Sequence, residues 1–267
     1  MDAPPPPDAS ARISGSAGGR RHFRYFDYMI AAFVTILLLS NLIGAAKQAA
    51  IAVPLIGTVT FGAGVLFFPV SYVLGDVLTE VYGYANARRC IWAGFFALMF
   101  MVFMALVVVA IPPSPEWALA SGTYEIMGQT VTAPNQAAYQ SVFGQTPRIV
   151  LASLVAFWAG EFVNSFVLAR MKVLTAGKHL WTRTIGSTFF GQGVDSALFY
   201  PLAFLGAAGW STEAVITLAI TQWIIKTLWE ALLTPVTYAV VGFLKRREGV
   251  EVFDTDTDFS PFAKARA

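Results

Sequence analysis

The sequence predicts an all-α polytopic membrane protein with six transmembrane helices and both termini in the cytoplasm. Three observations point there. Only 13% of residues are charged and 56% are hydrophobic, where a soluble domain carries about one-quarter charged residues. Several runs are long enough to cross ~30 Å of hydrocarbon, which takes roughly 20 apolar residues as a helix. Basic residues gather in every other connection. A β-barrel is excluded, because the runs are continuously apolar and do not alternate.

Taken in order, residues 1–24 are rich in Pro, Gly, Ser and Arg and read as a disordered cytoplasmic tail, with Pro4 to Pro7 as a stiff spacer. Residues 25–247 form the membrane domain, with spans at about 26–46, 60–83, 90–111, 149–170, 186–208 and 215–243. No signal-peptide apolar region precedes the first span, so it reads as a retained anchor. Segment 51–57 is too short to span and is expected to extend the outer end of the second helix or to lie at the interface. The external loop 112–148 is the longest connection; Trp117 and its tyrosines suit the interface, and Asn135 to Gly144 fits a short surface helix. Residues 248–267 are mostly acidic and read as a disordered cytoplasmic tail.

The positive-inside rule sets the orientation. Arg12, Arg20, Arg21 and Arg24 precede span one. Arg88 and Arg89 lie between spans two and three. Arg170, Lys172, Lys178 and Arg183 lie between four and five, and Lys245, Arg246 and Arg247 follow span six. The opposite connections hold Lys47 and Arg148.

Within the spans stand Asp76, Glu80, Glu161, Asp195, Lys226 and Glu230. Insertion costs about 2.5–3.5 kcal/mol for each such residue at mid-helix. Their sum of about 18 kcal/mol exceeds a typical net stability of about 5–15 kcal/mol, so they cannot all face lipid. Asp76 and Glu80 are spaced i, i+4 and share one helix face. A rise of about 1.5 Å per residue places Glu161, Asp195 and Lys226 near the midplane and Asp76, Glu80 and Glu230 nearer the cytoplasm. Asn164 and Gln192 fall at the midplane depth and join Asp195, Lys226 and Glu161 as candidate solute-binding residues. Asp76, Glu80 and Glu230 are candidates for a gate or a proton-linked role. Lys226 can pair with Glu230 one turn on, or reach Asp195 or Glu161. Blander readings fit some of these residues too. Asp76 and Glu80 with Arg88 and Arg89 also make a structural lock, Asn41 suits a polar outer end that satisfies a helix break, and Pro69 and Pro235 suit kinks.

Enzyme chemistry finds little support. No HExxH or Walker A motif occurs, and His22 and His179 both lie in cytoplasmic flanks. The lone Cys90 excludes an internal disulfide and a multi-cysteine metal site. No cofactor or metal is expected.

Three passages carry a family resemblance. They are Ser40-Asn41-Leu42-Ile43-Gly44 with Lys47; Phe68-Pro69 followed by Asp76, Glu80-Val81-Tyr82-Gly83 and Arg88-Arg89; and Ser187-Thr188 followed by Gln192, Asp195-Ser196 and Phe199. Gly160-Glu161, Asn164-Ser165 and Lys226 add to them. Over residues 25–247 the chain resembles the queuosine precursor transporter family, also called the vitamin uptake transporter family. The resemblance implies a carrier in the cytoplasmic membrane of a bacterium or archaeon. It implies import of 7-cyano-7-deazaguanine or 7-aminomethyl-7-deazaguanine for queuosine modification of tRNA. The family is distantly similar to the six-helix binding components of energy-coupling-factor vitamin transporters, so a binding subunit of that kind stays open, as does a structural membrane protein. The expected partners are the lipid bilayer and a small 7-deazaguanine, with no nucleic acid; a homo-oligomer is left open.

Overall fold

The computed structural model describes residues 12–14, 23–44, 48–53, 57–62, 64, 68–126, 128–144, 147–207 and 209–263. Strand β1 (Arg12–Ser14) precedes α1 (Phe26–Leu39). At the end of α1 the Ser40 hydroxyl and the Asn41 amide both donate to the Leu37 carbonyl, each at 2.9 Å. Side chains competing for a helix carbonyl loosen the ladder, and the chain widens into a π-helical turn over Ser40–Gly44.

Strands β2 (Gln48–Val53) and β3 (Gly57–Gly62) then pair as an antiparallel hairpin. This corrects two expectations. Residues 51–53 and 57 lie in strands and do not extend a helix, residues 54–56 lie outside the described residues, and the second helix does not begin near residue 60. The run Thr58-Val59-Thr60-Phe61 is β-branched and aromatic and favours strand. Helix α2 (Phe68–Tyr82) starts eight residues later than expected, so Pro69 lies in its first turn. There a missing N–H costs nothing, and the expected mid-span kink is absent.

Gly83, at φ +83°, turns the chain directly into α3 (Tyr84–Ala110). The connection after α3 holds α4 (Pro115–Leu119), a hairpin of β4 (Ser121–Ile126) and β5 (Gln129–Pro134), and α5 (Asn135–Phe143). The last is the short helix expected there. Long helices α6 (Pro147–Leu174), α7 (Leu180–Phe204) and α8 (Thr212–Glu248) complete the bundle, and β6 (Glu251–Phe253) pairs in parallel with β1.

Among the described residues four segments are long and apolar enough to cross a membrane: Phe26–Ile43, Tyr84–Ala110, Asn135–Leu174 and Thr212–Glu248. Their outer faces are apolar; Phe100, Leu228 and Leu232 are each 65% exposed. Exposed apolar surface on this scale needs lipid to cover it. Helices α2 and α7 are richer in polar residues, and their buried faces pack within the bundle.

Small residues set the closest helix approaches. A Cβ on Gly191 of α7 would lie 2.7 Å from the Asn164 Cβ and 3.0 Å from the Gly160 carbonyl oxygen of α6. A Cβ on Gly94 of α3 would meet Leu37 and Phe33 of α1. An apolar core joins Phe33, Leu37, Val77, Leu78, Leu98 and Phe157.

Over residues 249–263 the segment after α8 makes specific contacts where its composition suggests a disordered tail. Glu248 accepts from the backbone amides of Arg24 and Tyr25 and so holds the start of α1. Asp254, 2% exposed, accepts the Tyr84 amide and satisfies an orphan N–H at the start of α3. Burial pushes its carboxyl above the ordinary range. Arg88 donates to the carbonyls of Asp258 and Ser260, Trp92 to that of Pro261, and Arg170 stacks on Phe259. Arg88 thus serves the backbone of this segment and Arg89 lies over Phe26; neither forms the alternative lock with Asp76 and Glu80. Acid-rich composition misled here because Glu248 and Asp254 are met by backbone amides, and Arg88 and Trp92 by backbone carbonyls, none of which composition registers.

Gly191→Ala is expected to cost about 1–3 kcal/mol by overpacking the α6–α7 crossing, read as a lower thermal midpoint in detergent. Gly242→Ala, whose added Cβ meets nothing closer than 3.9 Å, should be neutral or better. Asp254→Ala should cost about 0.5–2 kcal/mol, as loss of a helix cap does. Hydrogen exchange at the Tyr84–Ala87 amides should rise in step.

Candidate functional site

The polar residues of the spans meet between α2, α6, α7 and α8. They separate into two clusters about one helical turn apart along α2.

The first is an ion lock at the end of the bundle where β1 and β6 pair. Glu80 Oε1 lies 2.9 Å from Arg183 Nη2, 2.7 Å from Lys245 Nζ and 3.3 Å from Lys172 Nζ. Lys172 Nζ also donates to the Glu80 carbonyl at 2.5 Å, and Arg183 donates to the Lys178 carbonyl. Lys245 divides itself between Glu80 and Glu251, the latter at 3.1 Å. Glu80, Lys172 and Arg183 are all 1% exposed or less. Such a pair holds only when geometry and extra hydrogen bonds repay desolvation, and four helices converge here to supply both. The sequence placed Lys172 in the connection between spans four and five and Lys245 in the flank after span six. Their long stems let them turn inward from helix ends.

The second cluster lies one turn deeper. Lys226 Nζ lies 2.6 Å from Asp195 Oδ2, which decides between the partners open to that lysine. The ammonium also sits over the Phe68 ring at 5.6 Å. The pair is the most accessible part of the cluster, with side chains 12% and 11% exposed. Asn164 Nδ2 donates to Asp76 Oδ1 at 2.8 Å. Glu230 does not pair with Lys226; it faces Asp76 and Thr188. Below them Thr79 of α2 donates to Ser165 of α6 at 3.1 Å.

Glu161 is fully buried, and neither of its carboxylate oxygens has a hydrogen-bond partner. It fits because α2 carries a glycine opposite: a Cβ on Gly75 would come within 3.0 Å of Glu161 Oε2. Gln192 Oε1, Asn164 Oδ1, Thr188 Oγ1 and Ser196 Oγ are likewise buried and unpartnered. Buried polar atoms are nearly always bonded, and in this cluster five side chains depart from that rule. Tyr72 lies among Gln192, Asp195, Glu161 and Glu230.

The sequence singled out Asp195, Lys226, Glu161, Asn164 and Gln192, and the fold brings them into this cluster. Glu80 separates into the lock. Asn41 lies elsewhere, beside Ser153 at the end of α1. Tyr72, Thr188 and Ser196 were missed. The signal existed, since Thr188, Gln192 and Asp195 recur at helical spacing, but hydroxyls in apolar runs usually bond their own helix.

A family model described as "Putative vitamin uptake transporter" matches residues 62–240. A protein of Bacillus subtilis (strain 168) described as "Probable queuosine precursor transporter" is 29% identical over 194 residues, covering 72% of this chain and 74% of the relative. No solved structure matches the chain. The helices suited to a membrane, the polar cluster they enclose and the family match across most of the bundle agree: this chain belongs to the vitamin uptake transporter family.

Proposed function

We propose that this chain imports a queuosine precursor, 7-cyano-7-deazaguanine or 7-aminomethyl-7-deazaguanine, across the cytoplasmic membrane of a bacterium for tRNA modification. Family membership and the relative's description support the solute class. One observation carries the reading to this site: the buried Glu161 carboxylate has two oxygens with no donor. A deazaguanine presents an N1–H and a 2-amino group side by side, and one carboxylate accepts both in a bidentate pair. Asp195 is less suited to that edge, because Lys226 already occupies its Oδ2. Lys226 or Gln192 then serves the 6-oxo group. Tyr72 offers a face for the ring, and stacking contributes about 1–3 kcal/mol per base.

The alternating basic connections support six spans with both ends in the cytoplasm. In that frame the Glu80 lock closes the cytoplasmic side and the solute cluster lies above it. Asp76, one turn from Glu80 on α2, joins the two. Import then requires the lock to open after the base is bound, by the rocking of helix groups general to carriers.

The test places the chain in bacteria that can neither make nor import queuosine precursors, feeds either base and measures queuosine in tRNA. Wild type should restore queuosine. Glu161→Gln and Asp195→Asn, at matched abundance, should each lower uptake by at least about tenfold, a loss of about 1.4 kcal/mol or more. No queuosine from a well-expressed wild type refutes the reading.

Glu80→Gln leaves Lys172 and Arg183 buried beside a neutral amide and should cost about 3–5 kcal/mol. The thermal midpoint in detergent reads this, and an unchanged midpoint removes the lock.

A further inference from the structure

The buried acids divide by what neutralises them. Glu80 meets three cations and Asp195 meets Lys226. Asp76 and Glu230 form no salt bridge with any described residue, although their exposures are 0% and 2%. They face each other, Asp76 from α2 and Glu230 from α8.

Every neighbouring element contributes to their surroundings. From α6 come Asn164, which donates to Asp76 Oδ1, and Glu161. From α7 comes Thr188. On α2 itself are Glu80, one turn away, and Tyr72. On α8 the nearest cation in sequence is Lys226, one turn away and engaged by Asp195. Asp76 Oδ2 and both Glu230 oxygens receive no hydrogen bond from these donors. Asn and Thr supply dipoles and no charge. Two ionised carboxylates set face to face here would repel each other and stand unpaired in a low-dielectric interior. A proton on one of them removes both costs, because its O–H donates to the other carboxylate in a short, charge-assisted bond.

We propose that the Asp76–Glu230 pair is a proton-binding site whose loading and release drive inward movement of the solute. This rests on the reading of the chain as a base importer. One proton is taken up from the outer side to form a carboxyl O–H bond. That bond breaks on the inner side, the proton passes to water, and nothing is oxidised or reduced. Asn164 is the link between proton and solute. Its Nδ2 holds Asp76 while its Oδ1 is unpartnered in the solute cluster, three residues along α6 from Glu161. A base that engages Asn164 therefore alters the hydrogen bonding of Asp76. Asp76 also shares α2 with Glu80, so a change in its protonation reaches the element that bears the lock.

Two measurements on the purified full-length chain test this. Infrared spectroscopy in detergent at neutral pH should show the C=O stretch of a protonated carboxyl group, with intensity lost in both Asp76→Asn and Glu230→Gln. Vesicles containing the chain, acid outside, should accumulate 7-cyano-7-deazaguanine about tenfold per pH unit if one proton accompanies each neutral base. In Glu230→Gln that accumulation should fall to a ratio of one, whatever rate of exchange remains. Absence of the carboxyl band, or its persistence in both variants, overturns the proton site whether or not the vesicles take up the base. Wild type that exchanges base down its gradient yet ignores the pH gradient overturns the coupling and leaves the importer reading intact. A variant-sensitive band from a chain that exchanges no base supports the proton site and overturns the importer reading.

Discussion

A single carboxylate oxygen, Glu80 Oε1, holds three cations drawn from α6, α7 and α8. Desolvating two of those cations to 1% exposure is tolerable only while that oxygen stays charged and in place. The lock therefore fixes the ends of four helices together. The small-residue crossing of α6 and α7 at Gly160 and Gly191 then sets how those two helices diverge from it. The lock and the crossing together define the space in which Glu161, Gln192 and Asp195 meet.

The acids of this bundle show how one residue type takes different work from its neighbours. Glu80 meets three cations on one oxygen, Asp195 is balanced by one, and Glu161 has no donor at all. Sequence distance does not sort them: Asp76 and Glu80 are one turn apart and fall into different clusters. A side chain one turn along a helix in hydrocarbon can face a wholly different set of partners, because no intervening water averages the two environments.

Much of this was legible in the sequence. The long apolar runs located α1, α3, α6 and α8, and the cost of burying charge singled out Asp195, Lys226 and Glu161. The beginning of α2 was not legible, because a short apolar run reads equally as strand or helix. The partner of Lys226 was not legible either, since Glu230 at i+4 and Asp195 on another helix were both within reach, and only the packing of α7 on α8 decides. The ordered segment after α8 was hidden for a different reason: Arg88 and Trp92 recognise carbonyls there, and every residue has a carbonyl.

The Asp254 contact with Tyr84 also bears on the order in which the molecule is built. Helix α3 is synthesised long before residue 254 leaves the ribosome, so the amide at its first turn stays unsatisfied by protein through most of biogenesis. Closing that contact spans 170 residues of chain. Contacts of such long range form late, because loop closure must be met before they reward it. The bundle thus carries its own signature of completion: until the segment after α8 has folded back, the amide at the start of α3 lacks its carboxylate partner.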